Sequence, residues 1–151
     1  MFAIAKTYDL RLVKVWQRIL GLNDRRIRSF VVSGDEIHRL AECEPSEDAP
    51  SGFVMNYHSH DISRIWFNRD TVDTNSSEHI ILHEVTHIAT DDAYRFCRNL
   101  INDFIADGAT KQHLLDELEG ENELQTNRLT RAFLRLKTMK AKEAPPCSTP
   151  L

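Results

Sequence analysis

Residues 79–90, HIILHEVTHIAT, constrain the fold more than any other segment, because they are apolar on almost every face of a helix. A helix of that kind is buried in a protein core. Just before it, Asn75 and Glu78 have the spacing of a capping box, with Asn75 as the N-cap and Glu78 at the third helical position. The sequence therefore predicts a buried helix that begins behind Asn75.

The remaining periodicities predict a small sheet and further helices. Apolar residues recur at three- and four-residue steps over residues 9–20, and Gly21 follows at the position of a helix C-cap. Three runs have the composition of strands, the first ended by a turn at residues 33–35 and the last two joined by a hairpin turn: residues 27–32, 52–57 and 62–67. After residue 90 the pattern is helical in three stretches: residues 92–107, 110–118 and 121–140. The predicted fold class is α+β, with about three strands between one helix and three or four later helices.

Length and charge limit the classes of partner. The 151 residues suit one domain, which we place at residues 1–139, followed by a proline-rich tail at residues 140–151. The formal net charge of −4 argues against a nucleic-acid partner, because no overall positive field would attract phosphates. No apolar run approaches the roughly 18 residues of a membrane span, so we expect no membrane partner.

Cysteine usage indicates the redox compartment. The three widely spaced cysteines, Cys43, Cys97 and Cys147, are odd in number and do not form a disulfide framework. A reducing, cytoplasmic location is the simplest interpretation, although one bridge plus a free thiol stays open. Cys97 falls on the apolar side of its predicted helix with Leu100, so we expect it in the core.

His83, Glu84 and His87 form the motif HEVTH inside the buried helix. Residues four apart lie one above the other on a helix, so the two imidazoles can share one Zn²⁺ at roughly 2.0–2.1 Å. Glu84 can then take a proton from a zinc-bound water, whose pKa falls to about 7. This is the HExxH pattern of zinc peptidases. The competing interpretation is a buried helix with two structural histidines, whose polar groups would cost several kcal/mol if unpaired.

A catalytic zinc needs a third protein ligand and one open position. Thr90 and Ala93 stand where a metzincin has Gly and His, so the third ligand must come from farther along the chain. Four residues are candidates: Glu119, Glu121, Glu123 and His113. We favour Glu123, because the Asn127 amide lies one turn later on the same face, where it can orient a ligand histidine. The alternative is a solvated acidic run at a helix N-terminus.

The choice of Glu123 as the third ligand also predicts how the last helix packs. One stripe faces the HEVTH helix: Glu123, Asn127, Thr130 and Leu134. A second group packs beside that stripe: Leu129, Ala132, Phe133 and Leu136.

The combination of HEVTH with the later Glu123-Leu-Gln-Thr126-Asn127 resembles the gluzincin metallopeptidases, which carry HExxH on one helix and Glu-x-x-Ala-Asp/Asn on a later one. The most similar groups are the single-domain minigluzincins and the peptidase domain of ImmA/IrrE-type proteins. Their second motif reads Glu-x-x-Ala-Asn-x-Phe-Ala, whereas this chain has Thr126 for the Ala and Leu129 for the Phe. The resemblance covers about residues 52–137.

The resemblance implies a small zincin-like domain with Zn²⁺ between the HEVTH helix and the Glu123 helix. It also implies that the strand at residues 62–67 is the sheet edge that binds a peptide or protein substrate in an extended conformation. Three residues are candidates to stabilise the oxyanion of the reaction: Tyr94, His113 and Arg128.

The leading hypothesis is a zinc-dependent peptidase, in which His83, His87 and Glu123 bind the metal and Glu84 is the general base and acid. A second hypothesis is a catalytically inactive, peptidase-like binding module, and a third is a regulatory peptidase that cleaves one partner protein. The helix at residues 9–20 packs on the sheet or covers the cleft, and a cover would make the enzyme latent.

Overall fold

The computed structural model describes residues 8–42, 48–57, 60–71 and 77–143, with side chains described up to residue 139. Within these ranges the chain is an α+β domain, which confirms the predicted class. The described residues form four α-helices, three strands and a 3-10 turn at Arg69–Thr71: α1 (Arg11–Ile19), β1 (Arg26–Val32), α2 (Gly34–Leu40), β2 (Gly52–Tyr57), β3 (Ile62–Asn68), α3 (Ser77–Phe104) and α4 (Ala109–Glu143).

The three strands form one mixed sheet in the order β1-β3-β2. β1 pairs with β3 in parallel, and β2 pairs with β3 antiparallel. β3 is therefore the central strand, and Ile65 and Phe67 on it are fully buried. The prediction that residues 62–67 form the substrate-binding edge is wrong, because β3 has a neighbouring strand on each side. The two edges of the sheet are β1 and β2.

The turn predicted at residues 33–35 is the beginning of a helix that the sequence analysis missed. Ser33 is the N-cap of α2, and its hydroxyl accepts a hydrogen bond from the Glu36 backbone N–H at 3.3 Å. Ile37 is fully buried and fixes the short helix against the sheet. Ser33 and Glu36 have capping-box spacing, so the sequence did contain the signal for this helix.

α3 and α4 are longer than predicted. α3 runs without interruption through residues 90–92, and α4 continues through Gly120, so the helix breaks expected at both places are wrong. α4 also extends to Glu143, while residues 144–151 of the predicted tail lie outside the described residues. The predicted N-cap, Asn75, lies outside them as well.

The N-terminal helix α1 is part of the core. Val13 and Trp16 are 1% exposed and pack in the main hydrophobic cluster with residues of α3. The Trp16 indole N–H donates to the Glu78 carboxylate on α3 at 3.1 Å. Because α1 packs against α3 and contributes no residue to the lining of the cleft described below, the alternative that this helix covers the cleft is wrong.

The C-terminal half of α3 is exposed, in contrast to its first half. The residues of α3 that are buried end at Ile88, and Cys97 lies at the surface, so its predicted place in the core is wrong. The other two cysteines lie outside the described residues. On α4, Leu129 and Leu136 are also exposed rather than packed, whereas Phe133 and Leu134 pack against the core.

None of the helices within the described ranges has both the length and the apolar character needed to cross a membrane.

Gly120 and Gly108 offer a matched test of the continuous α4. Gly120 lies inside the helix with open space at its Cβ position, so Gly120→Ala should stabilise the fold by about 0.5–1 kcal/mol. Gly108 precedes the helix with φ +145°, which a Cβ disfavours, so Gly108→Ala should destabilise it. Urea unfolding of both variants measures the two free energies. A destabilising Gly120→Ala would contradict an unbroken helix at that position.

Candidate metal centre

α3 places its motif residues by having two different faces. Ile81, Leu82, Val85 and Ile88 are at most 2% exposed and pack in the hydrophobic core. His83 and His87 lie on another face, which lines a cleft of about 560 Å³ between α3, α4 and β2. The apolar pattern of the sequence therefore fixes the rotation of α3, and this rotation directs both imidazoles toward the cleft.

The two histidines converge with Glu123 of α4. The Nε2 atoms of His83 and His87 are 3.1 Å apart. Glu123 Oε1 lies 2.9 Å from His87 Nε2, and Glu123 Oε2 lies 3.5 Å from His83 Nε2. Hydrogen bonds from His83 and His87 lower the pKa of the Glu123 carboxyl, despite the opposing effect of its partial burial.

These three residues form a group that could hold a metal ion, since their ligand atoms all lie within 4.8 Å of one another. Two imidazole nitrogens and a carboxylate oxygen are a donor set that suits Zn²⁺. In a tetrahedral zinc site with bonds of 2.0–2.2 Å, neighbouring ligand atoms are about 3.3 Å apart. The two Nε2 atoms are 3.1 Å apart, and each has one oxygen of the Glu123 carboxylate within 3.5 Å, so the separations are of the order that a shared metal ion requires.

The other candidates for the third ligand do not join this group. Glu119 lines the cleft but is not part of the group of converging ligand atoms. Glu121 is exposed and accepts a hydrogen bond from Gln125 at 2.6 Å. His113 is exposed and is not among the residues that line the cleft.

Thr126, and not Asn127, contacts a ligand histidine. Thr126 is fully buried, and its hydroxyl lies 3.4 Å from Nδ1 of His87. When the hydroxyl accepts a hydrogen bond from Nδ1–H, the Nε2 lone pair of His87 is free for a metal. The Asn127 amide donates instead to the Glu123 carbonyl of its own helix at 3.0 Å. The prediction that Asn127 orients a ligand histidine is therefore wrong.

Glu84 lies in the same cleft as His83, His87 and Glu123, with its side chain packed against Gly52 at the start of β2. It is 6% exposed, and burial raises its pKa to about 7, with His83 acting in the opposite direction and Glu123 adding to the rise. A Cβ atom at Gly52 would lie 2.6 Å from Cγ and Cδ of Glu84. Only glycine leaves room for the carboxyl at this position, and a glycine inside a predicted strand is a known sign of such close approach.

Two titratable side chains of α3, His79 and Tyr94, are among the other residues that line the cleft. His79 lies one turn before His83, and burial, followed by the charges of His83 and Arg131, lowers its pKa. His79 was not among the predicted site residues, although the four-residue spacing that pairs His83 with His87 also includes it. Tyr94 lines the cleft as well, and burial raises its pKa.

Among the residues predicted to stabilise an oxyanion, Tyr94 alone lines the cleft, while His113 and Arg128 do not.

No protein-family model, no curated protein and no solved structure matches this chain. The chemistry of the cleft therefore follows from its own geometry.

The contact between Thr126 and His87 predicts a measurable effect on metal affinity. Thr126→Val keeps the volume but removes the hydroxyl, and the Kd for Zn²⁺ should rise about 10–100-fold, because His87 loses the group that orients it. Thr126→Ser keeps the hydroxyl and should retain most of the affinity. Competition with a chromophoric chelator measures both values. Equal affinities for the two variants would show that the hydroxyl does not orient His87.

Proposed function

We propose that the chain is a zinc-dependent peptidase of the gluzincin type, in which His83, His87 and Glu123 hold the metal and Glu84 is the general base. One observation carries the proposal. Three ligand atoms converge from two helices, and a buried carboxyl lies next to them in the same cleft. Structural histidines need no shared centre and no adjacent buried carboxyl, so this arrangement favours metal chemistry over a purely structural role.

When bound, zinc supplies Lewis-acid chemistry, polarising the substrate carbonyl and acidifying the attacking water. Glu84 would take a proton from the attacking water and later deliver it to the leaving amine. The close packing of Gly52 against Glu84 restricts where the carboxyl can move. His87 is held by Thr126, and Glu123 reaches the centre from α4. The chain thus supplies a fixed base beside three fixed ligands.

The position of β2 at the edge of the sheet favours a peptide as the substrate. β2 is an edge strand, and four of its residues line the same cleft as the histidines: Gly52, Phe53, Val54 and Asn56. An edge strand has backbone N–H and C=O groups that can bind an extended peptide by strand addition. A peptide bound in this way along β2 would pass close to Glu84, because Gly52 contacts that residue.

The first experiment separates metal binding from hydrolysis. The purified protein should contain one zinc per chain by mass spectrometry of the metal, and His83→Ala should lose it. Glu84→Gln should keep the zinc but slow the hydrolysis of a mixed pool of unstructured peptides by about 10²–10⁴-fold, because the general base is lost.

The alternative of a binding module predicts a different result from the same samples. A protein that holds zinc but cleaves no peptide, with wild type and Glu84→Gln indistinguishable, would favour a peptidase-like binding module. A protein without stoichiometric metal would contradict both interpretations of the cleft.

Gly52 provides a second test that leaves the metal ligands unchanged. Gly52→Ala should displace the Glu84 carboxyl and reduce kcat by up to about 10²-fold, because small errors in the position of a catalytic group are costly. Zinc content should stay at one per chain. Gly120→Ala, which adds a methyl group where nothing lies within 4 Å, is the matched control and should keep full activity. An unchanged kcat in Gly52→Ala would mean that the position of Glu84 does not limit the reaction.

A further inference from the structure

The C-terminal half of α3 carries an apolar stripe that no described part of the chain covers. Phe96, Leu100 and Phe104 are 64%, 42% and 79% exposed. They are spaced by four residues and therefore lie along one face of the helix. None of the three lines the cleft, so the proposed peptidase function does not account for them.

The exposed area is large for three side chains. A whole phenylalanine side chain presents on the order of 200 Å², so Phe96 and Phe104 together leave roughly 300 Å² of aromatic surface in water per copy. Two such surfaces facing each other would remove roughly 600 Å² from water. A stable dimer of standard size buries about 1,200–2,000 Å² in total, of which about 65% is apolar in homodimers. The two phenylalanines alone would supply about half of that apolar share or more.

A polar row beside the stripe is complementary to itself. Arg95, Asn99 and Asp103 also follow a four-residue spacing and are all exposed. The row thus has a cation at one end, a neutral amide in the middle and an anion at the other end. Arg95 pairs with Asp92 at 3.1 Å on the surface, where such an ion pair contributes little to stability.

We propose that this stripe binds the same stripe of a second copy of the chain, with the two α3 helices antiparallel and a two-fold axis near Asn99. This register brings Arg95 of each copy level with Asp103 of the other, which gives two ion pairs by symmetry. A parallel arrangement would instead bring Arg95 level with Arg95 and Asp103 level with Asp103. Charge complementarity therefore selects the antiparallel dimer.

The apolar side chains interlock in the same register. With the axis at residue 99, Phe96 of one copy lies between Leu100 and Phe104 of the second copy. A closed, two-fold pairing of this kind buries the stripe on both copies at once.

Sedimentation of the full chain tests the proposal without any assay of activity. At a chain concentration of about 100 µM the wild type should sediment with twice the mass of one chain. The double variant that combines Phe96→Glu with Phe104→Glu should sediment with the mass of one chain. The matched control is Val15→Glu with Ile19→Glu, which changes two exposed apolar residues of α1 (46% and 56% exposed) and should leave the dimer intact. A wild type that is monomeric throughout, or a dimer that survives the phenylalanine changes, would overturn the proposal.

Charge reversal tests the register. Arg95→Asp alone and Asp103→Arg alone should each weaken dimerisation at least tenfold, because each places like charges level with one another. The double variant, Arg95→Asp with Asp103→Arg, should recover the dimer, since both ion pairs form again with reversed sign. All positions are exposed, so the variants should fold as the wild type does. Failure of the double variant to recover the dimer would rule out the antiparallel register.

Discussion

Two imidazole nitrogens and a carboxylate lie within 3.5 Å of one another between α3 and α4, and this convergence determines what the cleft can do. It depends on how closely the helices pack. Thr126 and Thr130 of α4 are small and fully buried, and the hydroxyl of Thr126 lies 3.4 Å from Nδ1 of His87 on α3. A larger residue at either position would move Glu123 away from the histidines. The packing of the two helices thus sets the geometry of the donor set.

Burial of the Glu84 carboxyl in the same cleft is unfavourable to the stability of the fold. Glu84 is 6% exposed, so ionising its carboxyl costs desolvation free energy, and this cost raises the pKa of Glu84. An apolar residue there would be less costly to bury, since Ile80, Ile81 and Ile88, one turn away on α3, are all buried apolar residues. The chain instead keeps the carboxyl and makes room for it with Gly52. Polar groups buried against local stability are concentrated at functional sites, which agrees with the assignment of Glu84 to chemistry.

The sequence was informative wherever the signal is local. Strand β2 lies where the residue composition predicted it, and the rotation of α3 follows from its apolar residues. Spacing also predicted that His83 and His87 would share a face, and Glu123 was the favoured third ligand that the structure brings to them. The helix breaks were wrong because Gly120 and the polar residues 90–92 lower helix propensity by about 1 kcal/mol or less each, which the packing and length of α3 and α4 outweigh. The central place of β3 was not predictable, because strand order depends on which strands pair across the chain and leaves no periodicity in the sequence.

The length of α3 separates the two surfaces that its two halves carry. His87 and Leu100 are thirteen residues apart, which corresponds to about 20 Å along a continuous helix. A second copy bound at Leu100 would therefore not reach the ligands of the first, and each cleft would keep its own complete donor set of His83, His87 and Glu123. Because α3 is one continuous helix, fixing the orientation of its C-terminal half would also fix the orientation of its N-terminal half. In an antiparallel pair the two clefts would be related by the two-fold axis, so dimerisation would set their relative orientation while leaving the chemistry of each unchanged.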